Sequence, residues 1–126
     1  TPNLPEASVL VGRSVETLED ARQAARDILG MGARSVVVKG GHLQGDAIDV
    51  FYDGRELREL SAPRIETTST HGTGCTFASA IAAGLARGMG VDGAVAQAKE
   101  YVTEAIRNAY QIGGGHGPLS HFYMLG

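Results

Sequence analysis

The chain has one cysteine, Cys75, in 126 residues. That excludes an internal disulfide and fits a reducing compartment, so a cytoplasmic location is expected. Basic residues are not in excess. Lys and Arg number 11 against 14 Asp and Glu, for a formal net charge of −3. This leaves no basic field and argues against nucleic acid as a partner. No apolar run is long enough for a membrane span, and no basic-then-apolar leader is present, so no membrane partner is expected. There is no internal repeat, charge block or low-complexity linker. The length then suits one domain or part of one. No initiator methionine precedes Thr1-Pro2-Asn3, and the chain reads as a piece of something longer. What it does have is a 43% hydrophobic content, enough for a core, and 18 glycines.

Helical and strand patterns alternate along the chain. Pro5 to Leu10 reads as a short helix, since proline suits a first helical turn. Ser14 reads as an N-cap for a helix whose apolar positions Val15, Leu18, Ala21, Ala25, Ile28 and Leu29 follow helical spacing, ended by Gly30 and Gly32. Ser35 to Lys39 is a β-branched run with the look of a strand buried on both faces, as in parallel sheets. A hairpin follows, with Asp53-Gly54 between Ala47–Tyr52 and Glu56–Leu60. Ile65 to Thr68 fits another short strand. Two helices close the pattern, Gly74 to Arg87 and one opening at Asp92 with Val91, Ala94, Val95, Ala98, Val102, Ala105, Ile106 and Ala109 along one side.

The densest chemistry lies at Thr70-His71-Gly72-Thr73-Gly74-Cys75, where a glycine turn opens into an alanine-rich helix. Glycines allow close backbone approach, and the first amides of a helix have no intrahelical partner, so the place attracts anions such as phosphate. The same partial positive charge favours thiolate over thiol. Cys75 is thus a candidate general base; the plainer reading is a small buried residue at a helix start. The turn has neither the Gly-Lys-Ser/Thr ending of a Walker loop nor the third glycine of a dinucleotide fingerprint. A tight strand-to-helix turn is its plainer reading.

Lys39, followed by Gly40 and Gly41, ends the buried strand, where open α/β sheets gather ligands. It reads either as a phosphate contact or as an edge lysine reaching water. Asn3 and Glu6 at Asn-x-x-Glu spacing read as an N-cap pair or as a place that orders hydrated magnesium. His42, His71, His116 and His121 have no zinc-like spacing. Lys99 in the last helix reads as solvated.

Asn3-Leu4-Pro5-Glu6, Val38-Lys39-Gly40-Gly41-His42, the run His71 to Ala82 and the tail Gly115 to His121 together resemble the C-terminal half of hydroxymethylpyrimidine/phosphomethylpyrimidine kinases. These belong to the ribokinase-like superfamily. Most ribokinase relatives carry aspartate where Cys75 stands, so the cysteine points to the pyrimidine and pyridoxal branch. The resemblance implies an α/β fold: part of a three-layer α/β/α sandwich, mostly parallel, with one β-hairpin. Residues 1–126 would be the C-terminal, ATP-binding and base-bearing part of the kinase domain, without the N-terminal half. It implies ATP and Mg2+ as cofactors and a small pyrimidine alcohol and its monophosphate as substrates. By carry-over, Cys75 takes the hydroxyl proton. The amides of Gly72, Thr73, Gly74 and Cys75 hold the transferring phosphate, with Thr70 and His71 leading into that turn. Lys39 and Gly41 face ATP, and Asn3 and Glu6 order magnesium. Alone, the piece is expected to have little or no activity and to cover its exposed sheet edges with another copy or with the missing half. A pyridoxal or pyridoxine kinase and a non-catalytic nucleotide-binding-like module remain as alternatives.

Overall fold

A computed structural model of the chain describes residues 1–40, 47–62 and 73–108. The chain divides into two compact units, Thr1–Arg64 and Ile65–Gly126.

In the first unit, α1 (Leu4–Val11) and α2 (Leu18–Gly30) accompany three strands, β1 (Val36–Val38), β2 (Ala47–Tyr52) and β3 (Leu57–Ala62). Helix α1 starts where a reciprocal capping box forms. The Asn3 side chain accepts from the Glu6 amide at 2.8 Å, and the Glu6 carboxylate accepts from the Asn3 amide at 2.9 Å. Two first-turn donors are thereby satisfied. Helix α2 starts three residues later than the expected N-cap Ser14. Thr17 is the cap, again in a capping box, with Asp20. Val15 remains outside the helix, buried, with its amide donating to Ser8 Oγ. Apolar spacing alone drew Val15 into the helix; the reciprocal Thr17–Asp20 bonds set the true boundary.

The strands lie in the order β1-β2-β3, and both pairings are antiparallel. The described strands thus do not show the expected mostly parallel sheet. Among the described residues the one parallel contact is the isolated bridge between Asn3 and Lys39. The valine run of β1 is buried throughout. Such a run reports that both faces are covered, not which way the neighbouring strand points. The expected hairpin is present, with Gly54 at φ +90° in its turn and Asp53 accepting from the amides of Arg55 and Glu56. Register puts Val36 and Val38 beside Tyr52 and Val50 on one face. That face packs on Ala21, Ala24, Ala25 and Ile28 of α2 and on Leu4 and Ala7 of α1. Small α2 side chains let the helix lie close to the sheet, while the β-branched strand residues fill the space between. Arg22 of α2 adds a two-pronged ion pair, both bonds 2.9 Å, to Glu59 of β3.

The second unit holds α3 (Thr73–Ala86) and α4 (Val91–Arg107), packed on each other. Helix α3 buries Phe77, Ile81 and Gly84. Helix α4 buries Ala94, Val95, Ala98, Val102 and Ala105, most of the stripe read from the sequence; Val91 and Ile106 are half-buried, and Ala109 lies outside the described residues. Its N-cap is Gly90, not Asp92, which falls in the first turn with its charge favourably placed at the helix start. Helix α3 ends in a Schellman arrangement. The Met89 amide donates to the Gly84 carbonyl and the Gly88 amide to that of Leu85, with Gly88 at φ +86°. Gly84 is also a contact point. A Cβ there would lie 3.0 Å from Ala94 Cβ and 3.2 Å from Met89 Sδ.

Two outcomes follow from this packing. Gly84→Val should cost about 1–3 kcal/mol by forcing α3 and α4 apart, read as a lower urea midpoint. Asp20 sits below its ordinary carboxyl pKa because the amides of Glu16 and Thr17, and then the Thr17 hydroxyl, bond its charged form. Its folded value is depressed, so its contribution is complete above the unfolded value near ~3.9 and is lost as pH falls through the folded one. Asp20→Asn should therefore show a flatter acid limb in urea midpoints measured from pH 5 downward.

Candidate functional site

Three of the residues singled out in the sequence meet at the end of β1. The backbone amide of Lys39 donates to the Pro2 carbonyl at 2.8 Å, and Asn3 bridges to Lys39. The capped start of α1 is thus fastened beside the strand's exit. Asn3, Glu6 and Lys39 share one end of the sheet, with Glu6 exposed and Lys39 half-buried. Sequence reasoning missed a fourth participant. The carboxylate of Asp49 in β2 accepts from the Gly40 amide at 3.0 Å, and the residue is only 6% exposed. Its polar position between Ile48 and Val50 looks like ordinary outward alternation. The available signal was an acidic residue in a strand otherwise apolar from Ala47 to Tyr52.

The Asn3–Glu6 pair takes the structure of an N-cap, so the plainer of its two readings is present. Asn3 Oδ1 and Glu6 Oε1 each bond a main-chain amide, and the described residues contain no cluster of three or more His, Cys, Asp or Glu side chains. This is not a preformed metal cage. Glu6, with a second carboxylate oxygen and an exposed position, suits a hydrated ion held partly through water and substrate phosphates.

In the second unit, α3 opens at Thr73, placing Gly74 and Cys75 in its first turn. Helix geometry leaves first-turn amides without a partner inside the helix. Cys75 is exposed, so the reading of a small buried residue does not hold. The next positions on its side of the helix, Ala78, Ser79 and Ala82, are exposed as well. Small side chains thus follow the thiol along that side of the helix. Gly41, Thr70, His71 and Gly72, all four histidines and the expected strand at Ile65 to Thr68 lie outside the described residues. Lys99 is half-buried rather than fully solvated.

Comparison with known proteins identifies the family. A family model described as phosphomethylpyrimidine kinase matches residues 1–120. The hydroxymethylpyrimidine/phosphomethylpyrimidine kinase of Streptomyces coelicolor is 52% identical over 126 residues, covering 100% of this chain and 47% of the relative. Among solved structures, an ADP complex of Bacillus subtilis pyridoxal kinase superposes with a TM-score of 0.93 at 41% identity, covering 98% of this chain and 48% of that one. Staphylococcus aureus pyridoxal kinase with AMP-PCP and pyridoxal gives 0.92 at 39% identity, covering 95% and 46%. The chain spans just under half the length of these proteins, and that share does not bear out the expected placement in their C-terminal half. The match along nearly the whole chain establishes that the chain belongs to the phosphomethylpyrimidine kinase family.

Proposed function

We propose that this chain is the nucleotide-facing, base-bearing portion of an ATP-dependent kinase for hydroxymethylpyrimidine and its monophosphate in thiamin biosynthesis. The observation that carries the reading is the exposed Cys75 in the first turn of α3. In that role its sulfur accepts the proton of the substrate hydroxyl as the oxygen attacks the γ-phosphorus of ATP, the bond from that phosphorus to the β,γ-bridging oxygen breaks and ADP leaves. The amides of Gly72, Thr73, Gly74 and Cys75 receive the charge that grows on the phosphoryl oxygens. Phosphoryl transfer depends chiefly on such placement and charge stabilisation. Lys39 and Gly41 face the nucleotide phosphates, Thr70 and His71 shape the approach to the turn, and Asn3 and Glu6 order Mg2+.

The C-terminal placement belongs to this reading and rests on the motifs alone. So do the three-layer sandwich, completed by the rest of a longer kinase or by a second copy, and a cytoplasmic setting. Pyridoxal is the second candidate substrate, favoured by the names of the two solved relatives. The naming of the Streptomyces relative favours the pyrimidine.

The test is phosphorylation by the full-length kinase that contains this chain, with each alcohol in turn. The pyrimidine is expected to give the higher kcat/KM; a higher value with pyridoxal would reverse the assignment. Cys75→Ala should lower kcat by about 10²–10⁴-fold, the range of general-base catalysis, while ADP binding persists. Unchanged turnover in that variant would remove the base role. The 126-residue chain alone is expected to turn over neither substrate, and full activity in it would show that the remainder is dispensable.

A further inference from the structure

The buried carboxylate of Asp49 is unused by the reading above, and it marks the place where the sheet's own hydrogen bonding stops. The β1–β2 ladder ends at the pair Val38–Val50. Beyond it, the Lys39 amide turns to the Pro2 carbonyl. The next amide, that of Gly40, is taken by Asp49 Oδ1 at 3.0 Å in a buried setting. Burying a carboxylate is costly unless hydrogen bonds compensate its charge, and a bond from an amide to a charged oxygen is stronger than one to a neutral acceptor. Two ties, one from the chain ahead of α1 and one from β2, therefore hold consecutive amides of Lys39 and Gly40.

We propose that Asp49 is a positioning residue for nucleotide binding: its carboxylate fixes the Gly40 amide and with it the exit of the chain from β1 at Lys39. The inference rests on the proposed role of Lys39 toward ATP. Asp49 touches no substrate; it sets the direction in which Lys39 and Gly40 leave the sheet.

The experiment uses the full-length kinase carrying Asp49→Ala or Asp49→Asn, with ATP and the pyrimidine alcohol varied separately. Amide hydrogen exchange at Gly40 and calorimetric ADP binding are measured in parallel. Asp49→Ala is expected to raise KM for ATP and the ADP dissociation constant about tenfold, the worth of one hydrogen bond to a charged group. Gly40 exchange should accelerate, while KM for the alcohol and kcat stay within about twofold. Asp49→Asn keeps an acceptor oxygen but not the charge, and should fall between, near threefold.

A folded Ala variant with unchanged KM for ATP and unchanged Gly40 exchange overturns the proposal. So does an equal loss toward both substrates that tracks thermal stability, which is what a purely structural role gives. Should the Ala variant fail to fold, the Asn variant decides: wild-type values for both ATP and Gly40 exchange overturn the proposal, and the intermediate rise supports it. A wild-type kinase that neither binds ADP nor phosphorylates with ATP would overturn the proposed function and this inference together, a result distinct from the others.

Discussion

The first unit depends on a bond across a gap in sequence, from the amide of Lys39 to the carbonyl of Pro2. It fastens the beginning of α1 to the end of β1, and the rest of that region is arranged around it. The capping box at Asn3 and Glu6 finishes the helix end that the bond brings in. Asp49 takes the amide that the bond leaves over. The core beneath, built by Val36, Val38 and Val50 against the alanines of α2, holds the two anchor points at a constant distance. A cluster of polar residues at a sheet end is costly to order, because each loses side-chain freedom. Here the ordering is shared among main-chain bonds that the fold needs in any case.

Residues that hold the fold together here are also the ones to which the proposed function gives a chemical role. Asn3 and Glu6 were open to two meanings in the sequence, and the structure displays the first, a helix cap. A capping carboxylate retains acceptor capacity after binding one amide, so a cap at the mouth of a ligand site does not forfeit its second use. Cys75 separates its two readings more sharply. A core cysteine would be covered; this one is exposed at the start of a helix whose accessible side carries small residues.

Local rules were legible in the sequence where the signal was itself local. The Asp53-Gly54 turn, the α4 stripe and the helix starting beside Pro5 all appear close to where spacing put them. Rules that need a neighbour were not. Strand direction is invisible in a run such as Val36–Val38, because two-sided burial has several causes. The start of α2 was misplaced because Val15 fits helical spacing yet is buried ahead of the helix, while the deciding Thr17–Asp20 bonds depend on side-chain geometry. Asp49 went unnoticed for a related reason: alternation in a strand says which residues share a face, but not that the second face is covered too. Of the residues at the end of β1, Asn3, Glu6 and Lys39 could be singled out by type and spacing, as could Cys75 in the second unit; Asp49 could not.

The close approach at Gly84 gives α3 the mechanics of a cantilever. Its far end is clamped by Ala94 and by the Schellman cap at Met89, and at 1.5 Å per residue Cys75 stands roughly 14 Å along the beam. A beam built in at its root resists twisting about its own axis. The sulfur's position therefore depends in part on a glycine at the other end of the helix, and a bulkier residue there would carry the thiol along as α3 shifts.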